Sequence, residues 1–455
     1  MTSTPALSSP APLLEVNDLR THFHTEEGTL RAVDGVSFQL ARGRTLALVG
    51  ESGCGKSVTA QSVLRLINPP GRIVGGSIRL HSSDGEPPLE VLEERENSAA
   101  LYALRGGRVA LIFQEATAAL SPVHTIGNQL LEAIRTHQKI SKKAATQLAL
   151  EMLERVGIKT PELCLQKYAH ELSGGMRQRA VIAMALVSNP ELIIADEPTT
   201  ALDVTIQAQV LVLLKELQKR LNLAILLITH DLGVVAQMAD DVVVMYLGRV
   251  VESGPVRAIL KKPRHPYTIG LLESLPSLTP IGKRLPSIRG SVPALSDIPA
   301  GCSFHPRCNY AAPGRCNAGD PPPLERFGAA SGAAGEDRSA ACWRTREVAL
   351  ERLLQRPTAG VPAVAPDAAL EADPWAAAAS AAAAAAGDAQ EDSTERVTET
   401  AAPPFVAPYP PRTPHPADNQ AESDWFDSSD LVSERDAALE AGQPMSKERG
   451  KGPLS

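Results

Sequence analysis

No stretch of this chain holds the roughly 20 consecutive apolar residues that a bilayer-spanning helix needs. The best run, Leu223–Ile228, has the length of a strand. Any membrane process served by the chain must therefore draw its spans from other subunits. Residues Met1 to Pro12 lack both a basic start and an apolar h-region, so no signal peptide is expected and the chain should stay in the cytosol. A basic face is lacking as well. Residues 345–455 carry 9 Lys and Arg against 19 Asp and Glu, a net of −10, which leaves +3 of the whole-chain −7 for residues 1–344. The acidity belongs to the tail, and the near-neutral body gives no support for nucleic-acid binding. No internal repeat is evident. Cysteine is scarce over most of the chain. Of six, only Cys54 and Cys164 precede residue 300, whereas Cys302, Cys308, Cys316 and Cys342 fall within 41 residues. In a cytosolic protein such clustering points to metal or redox chemistry rather than to structural disulfides.

What is present is a regular alternation. Leu13–Val16, Val33–Leu40 and Thr45–Val49 read as strands, the last leading into a glycine loop, and Lys56–Ile67 reads as the helix after it. Residues 83–104 are polar and contain proline, as a surface excursion would. Arg108–Phe113 resumes a strand. Pro122 to Pro190 shows no obvious strand and is rich in helix formers, with Leu148, Met152 and Val156 forming one apolar stripe. From Glu191 the pattern alternates again: strand Leu192–Ala195, helix Val204–Arg220, strand Ala224–Thr229, helix Leu232–Ala239, then strands around Val242–Tyr246 and Arg249–Glu252. Apolar strands alternating with helices imply an α/β fold with a parallel sheet covered on both faces. The helical block in its middle should form a lobe of its own. Residues 264–344 are rich in Pro and Cys with little periodicity. Beyond about Arg356 the chain is acidic and Ala/Pro-rich, with six consecutive alanines from Ala381, and it cannot bury a core.

Two motifs carry chemistry. Gly50-Glu51-Ser52-Gly53-Cys54-Gly55-Lys56-Ser57 fits GxxxxGK[ST] between a strand and a helix. The glycines let backbone N–H groups point at phosphates from a helix N-terminus, Lys56 adds a positive charge at the β/γ-phosphates, and Ser57 offers a hydroxyl to Mg2+. The bland reading is a glycine turn opening an ordinary helix. Leu192–Ala195 is an apolar strand ending in two acids, Asp196-Glu197, which resembles the Walker B element of nucleotide-hydrolysing proteins and implies a Mg2+ ligand followed by a general base; the bland reading is two solvated acids at a strand end. Cys54 sits at a helix N-terminus, where a thiol pKa tends to fall. A redox switch is one reading of it, and a small residue where small residues fit is the other. Cys164 reads as structural.

Leu172-Ser173-Gly174-Gly175-Met176-Arg177-Gln178-Arg179, preceded by His170-Glu171 and followed by Asp196-Glu197, completes a pattern that resembles the ATPase subunits of ABC transporters over about residues 13–260. The resemblance implies a P-loop NTPase, RecA-like α/β core (residues 13–263) with an antiparallel β subdomain and an inserted α-helical signature subdomain at about 122–190. It further implies a small cysteine-containing extension over 264–344, while composition leaves segments 1–12 and 345–455 as expected disorder, the long tail exceeding the usual family length. It makes Glu197 the general base, His230 the switch histidine, Gln114 the γ-phosphate sensor and a contributor to the Mg2+ site, and Asp196 a Mg2+ ligand with Ser57. Asp203 becomes the acid that communicates across a dimer. Ser173, Gly174 and Gly175 become the start of a helix aimed at the nucleotide of a second, identical or homologous ATPase subunit. Phe23 is the candidate to stack on adenine, with a core phenylalanine as the alternative.

A narrower resemblance follows. Pro263-Arg264-His265-Pro266-Tyr267-Thr268 with Leu271, Leu272 and Pro276, Gly301-Cys302-Ser303-Phe304-His305-Pro306-Arg307-Cys308, and Ala32-Val33-Asp34-Gly35-Val36-Ser37-Phe38 are similar to dipeptide/oligopeptide and nickel importers. Gln114-Glu115-Ala116 departs from that branch, which usually shows an acid and then proline. The resemblance implies two transmembrane permease subunits as partners, an extracytoplasmic solute-binding protein acting indirectly, no nucleic acid, and a place at the cytoplasmic face of the membrane. The cysteine spacing C-x5-C-x7-C-x25-C lacks the close pairs of most zinc sites and does not decide its occupant. Similar extensions in some peptide importers hold a [4Fe-4S] cluster, which the resemblance favours here, with zinc or free or paired thiols as the other readings. Rival readings are a nickel or other small-solute importer, a soluble ABC ATPase without a permease, and a regulatory subunit with a weak site.

Overall fold

The computed structural model describes residues 12–354 except 83–85, 201, 276–285 and 328–337. Strand β1 (Pro12–Thr25) and strand β2 (Gly28–Ala41) form a long antiparallel hairpin, closed by a turn at which Gly28 takes φ 133°. Both run well beyond the apolar segments that mark them in the sequence, because their outer halves are exposed and polar. The chain then enters β3 (Thr45–Val49), all five residues of it buried, and helix α1 (Lys56–Val63). This helix stops four residues short of the expected Ile67. Arg65 takes φ 52° with its N–H on the Ser62 carbonyl, and Pro69-Pro70 follow, so a further turn has no route.

Strand β4 (Gly71–Leu80), which carries no clear apolar alternation, pairs with β1, and β5 (Leu89–Glu90) pairs with β4. The first sheet thus has the order β2-β1-β4-β5. The expected surface excursion is only partly that. Ser98 caps α2 (Ala99–Leu104) by accepting the Leu101 N–H at 3.2 Å, and Leu101 and Leu104 reach the core. A six-residue helix with two buried residues is too short to show a period.

Strand β6 (Val109–Ile112) leads to the helical block: α3 (Ala116–Ala119), α4 (Ile126–His137), α5 (Lys142–Arg155), α6 (Pro161–Gln166) and α7 (Gly174–Leu186). Thr125, Ser141 and Ser173 each cap the helix that follows them. The Met152 and Val156 stripe of α5 packs with Ile126, Leu130 and Ile134 of α4 and with Ile182 and Leu186 of α7 in one core. Then come β7 (Leu192–Asp196), α8 (Val204–Leu221), β8 (Ala224–Thr229), α9 (Leu232–Met238), β9 (Asp241–Tyr246) and β10 (Arg249–Pro255).

With two late strands, β11 (Glu325–Phe327) and β12 (Arg338–Ala340), the second sheet has the order β11-β12-β10-β9-β3-β8-β7-β6, in which β9, β3, β8, β7 and β6 are parallel. Alternate residues of one strand serve opposite faces. Ile225 and Leu227 pack with α7 and α8, while Leu226 and Ile228 pack with α1 and the first sheet. Each of these buried leucines and isoleucines contributes about 1.5–3 kcal/mol relative to exposure.

After α10 (Val256–Lys261), the aperiodic 264–344 segment proves to be anchored. It contains α11 (Pro266–Glu273), β11 (Glu325–Phe327) and β12 (Arg338–Ala340), and β12 joins the sheet through Glu252↔Ala340 and Ser253↔Ser339. Regular structure continues past residue 344 into α12 (Thr345–Leu354), where Val348 is buried and Glu347 pairs with Arg315 at 2.8 Å. The expected disorder of the tail, including the alanine run, lies outside the described residues. Among the described residues no helix is long and apolar enough to cross a membrane.

Candidate functional site

The strand β3 delivers the glycine loop to the N-terminus of α1. Gly53 and Gly55 take φ 79° and 99°, and Gly55 occupies the N-cap of α1 without any side-chain capping bond. The first-turn N–H groups are therefore left to an external acceptor, and the helix end favours an anion. Lys56 is buried, with Nζ donating to the carbonyls of Gly50 at 2.9 Å and Glu51 at 3.1 Å. Ser52 and Gly53 are exposed at the rim. The Cys54 thiol corrects the expectation of a lowered pKa. Burial pushes it up, and the nearby Lys56 only partly opposes this, so the thiol is a small, protonated filler.

At the end of β7, Asp196 is paired in register with Ile228 of β8. Burial raises its pKa, while a hydrogen bond from Ser57 pulls the other way. Its Oδ1 is buried with no hydrogen-bond partner. An orphaned carboxylate oxygen beside the Ser57 hydroxyl is what a Mg2+ ion would satisfy, so these two residues fit the metal. Glu197, at φ 46°, is held by three side chains. Gln114 Nε2 donates to Oε2 at 3.1 Å, Thr200 Oγ1 donates to the same oxygen at 3.0 Å, and His230 Nδ1 lies 3.2 Å from Oε1. The structure brings Gln114, Glu197 and His230 together. Thr200 had no role in the sequence reading, although it lies between Glu197 and Asp203.

Ser173 caps α7 through the Met176 N–H, with Ser173 and Gly174 exposed, and Gly175 faces Ile206 of α8. Helix α7 packs against the helical lobe, β6 and α8, while α1 packs against β1, β2 and β7. Asp203 is the N-cap of α8, accepting the Ile206 N–H at 2.9 Å. Phe23 lies on β1, paired with Gly71 and with its ring beside that glycine at the half-exposed end of the first sheet.

Sequence reasoning missed the extension's contacts with the loop. The Glu51 N–H donates to the Tyr267 hydroxyl at 2.8 Å, and the Glu51 carboxylate pairs with Arg307. Both partners lie in the His265–Thr268 and Phe304–Cys308 motifs already singled out, but nothing in their spacing points at residue 51. His265 caps α11 by accepting the Tyr267 N–H at 3.1 Å, and Glu252 of β10 accepts the Arg264 and His265 N–H groups at 2.7 and 2.9 Å. Burial drives the His265 pKa down to about 3, so the ring is neutral.

The four clustered cysteines line a single small cavity with Phe304 and Tyr310. Backbone N–H groups of Tyr310, Ala312 and Arg344 donate to the sulfurs of Cys308, Cys316 and Cys342 at 3.3–3.4 Å. Burial nevertheless pushes the Cys302 and Cys342 thiols up to about 11 and about 12. Three of the four sulfurs thus accept a backbone N–H, a contact that also favours a metal-bound thiolate. Among the described residues, however, no three His, Cys, Asp or Glu side chains stand in a metal-holding arrangement, which leaves the expected iron–sulfur cluster without support from the geometry.

Comparison with known proteins places this geometry. Residues 33–200 match the family described as ABC transporter, and residues 251–316 match the C-terminal region of oligopeptide/dipeptide transporters. The chain is 51% identical over 301 residues to the oligopeptide transport ATP-binding protein OppD of Bacillus subtilis, covering 66% of this chain and 82% of that one. It is 50% identical over 300 residues to AppD of the same organism, covering 66% and 89%. Against a putative peptide import ATP-binding protein of Brucella melitensis it is 48% identical over 322 residues, covering 69% and 94%. With both regions matched and nearly the full length of such relatives spanned, the chain belongs to the ABC transporter ATPases of the oligopeptide/dipeptide branch.

Proposed function

We propose that this ATPase powers the import of di- and oligopeptides through a separate membrane permease. The observation that carries the reading is the Glu197 carboxylate, fixed by Gln114, Thr200 and His230 next to Asp196 and the phosphate loop. The uncapped first turn of α1 and Lys56 hold the triphosphate. Ser57 and Asp196 hold Mg2+, which supplies charge neutralisation at the phosphates. Glu197 accepts a proton from the attacking water, and its three partners keep the carboxylate aimed. Ser173, Gly174 and Gly175 serve the nucleotide of a second ATPase subunit, and Asp203 lies at the contact between them. Phe23 stacks on the adenine.

Relatives named for peptide import or oligopeptide transport, spanned over most of their length, support the cargo class. The working assembly contains a second ATPase subunit and two permease subunits, served by an extracytoplasmic solute-binding protein, with this chain peripheral at the cytoplasmic face. Affinity purification of the tagged full-length chain from native membranes should recover a permease pair and a second cassette, and peptide should stimulate ATP turnover. Glu197→Gln should bind ATP and lose about 10²-fold or more in turnover. Full turnover in that variant, or recovery of the chain without membrane subunits, sinks the reading.

The four thiols of Cys302, Cys308, Cys316 and Cys342 are proposed to hold a [4Fe-4S] cluster, with zinc as the second reading. Anaerobically purified protein should be brown, with broad visible absorption lost in Cys302→Ser. A colourless, zinc-containing protein overturns the cluster.

A further inference from the structure

We infer that Arg307, through Glu51, is a positioning residue for the nucleotide site, so that the C-terminal lobe sets the affinity of the phosphate loop for ATP. The inference rests on reading Gly50–Ser57 as that site. Glu51 is the second residue of the loop, so its carboxylate adds a negative charge to the segment whose N–H groups and Lys56 would hold the phosphates. A carboxylate left bare there repels the incoming anion. Arg307 meets it with a two-pronged pair, Nη2 on Oε1 at 2.9 Å and Nη1 on Oε2 at 2.5 Å. The Arg307 side chain is only 5% exposed and the Glu51 side chain 29%, so water screens the pair only in part.

The remaining contacts fix the guanidinium in place. Its Nε donates to the Arg289 carbonyl at 3.1 Å, and its Cζ lies 5.9 and 6.0 Å from the ring centroids of Tyr246 and Phe304. Such a fork holds orientation as well as charge, which a lysine could not reproduce in full. Tyr267 adds a second tie by accepting the Glu51 N–H at 2.8 Å. Both the backbone and the side chain of Glu51 are therefore held from the extension. Glu51 in turn offers its carbonyl to Lys56 Nζ at 3.1 Å. One continuous path runs from the turn that bears Cys308, through Arg307 and Glu51, to the lysine of the loop.

The test uses the full-length protein, with equilibrium binding of MgATP and steady-state KM and kcat. Arg307→Met is expected to raise Kd and KM for ATP about ten-fold while kcat stays within two-fold. Adding Glu51→Gln should return both constants to within about two-fold of the starting protein, because no bare charge then remains. A merely structural role predicts a lower Tm and a lower active fraction, with no rescue by Glu51→Gln, and that result overturns the inference. Should Arg307→Met not fold, Arg307→Lys keeps the charge and loses the fork, and it should raise KM two- to five-fold. An unchanged KM in that variant overturns the inference too. Lys56→Ala separates the two readings. If it still binds ATP, the nucleotide site itself is misassigned. If it loses ATP while the Arg307 variants behave like the starting protein, only the positioning role fails.

Discussion

Gly55 faces the main-chain carbonyl of Ala32 so closely that a Cβ at this position would lie 2.2 Å from the oxygen. Neither partner can yield, because the contact is backbone to backbone, and Gly55 also takes φ 99°, a conformation that a side chain disfavours. Gly55→Ala is expected to cost about 1–3 kcal/mol and to abolish ATP binding. Thermal melts with and without MgATP check this. A variant with an unchanged Tm and a normal ligand-induced shift contradicts the close approach.

Asp196 carries a prediction of opposite sign. Its raised pKa means that the folded protein holds the proton more tightly than the unfolded chain, so ionisation costs stability as pH rises through the folded value. Asp196→Asn removes that cost. The ligand-free variant should melt at or above the temperature of the starting protein at pH 7, while Mg2+ should no longer strengthen ATP binding. Retained Mg2+ dependence would exclude Asp196 as a ligand.

His265 links acid stability to the extension. Its folded pKa of about 3 lies below the ordinary value of 6.5, so the unfolded chain takes up a proton that the folded protein refuses. The contribution is complete above about pH 6.5 and is lost progressively as pH falls toward 3, reaching about 2 kcal/mol by pH 5. Urea melts at pH 7 and pH 5 should show a smaller acid loss in His265→Asn, whose side-chain oxygen can still cap α11. An equal loss in both proteins assigns the acid sensitivity elsewhere.

Glu191 ties together three segments distant in sequence, accepting from Arg42 and Arg108 at 2.6 Å each. Burial alone would raise its pKa, but the hydrogen bonds from Arg108 and Arg42 outweigh this and hold it below the usual range. The pair is a little under one-third exposed. Glu191→Gln should therefore cost about 1–2 kcal/mol at pH 7, less than a fully buried pair would. Because a lowered carboxylate pKa gives stability that is lost as pH falls, the difference between variant and starting protein should shrink by pH 3. Chemical denaturation at the two pH values measures it.

The parts most legible in the sequence were those written by local physics. The strands β3, β7 and β8 announce themselves because both of their faces are buried, and Gly50–Ser57 does so because an anion-binding turn needs its glycines. Gln114, Glu197 and His230 could be grouped only through family resemblance, since 83 residues separate the first two. Strand β4 was not legible, because its partner β1 rather than its own alternation makes it a strand. The docking of Tyr267 and Arg307 on Glu51 was hidden for a similar reason. A contact spanning 256 residues leaves no periodic trace, and His265-Pro266-Tyr267 is spelled by a helix cap, a helix-starting proline and a hydroxyl acceptor that each look ordinary alone.

The attachment of β12 to β10 has a consequence for the boundary of the functional unit. A strand at the margin of a sheet invites pairing with foreign chains unless something covers it. Here residues 338–340 occupy part of that margin, and β11 stacks outside them. A fragment ending after β10 would keep every motif from Gly50 to His230 yet present a bare, self-adhesive border. The smallest piece of this protein that can be handled as a clean solute is thus larger than the piece that holds the hydrolytic residues.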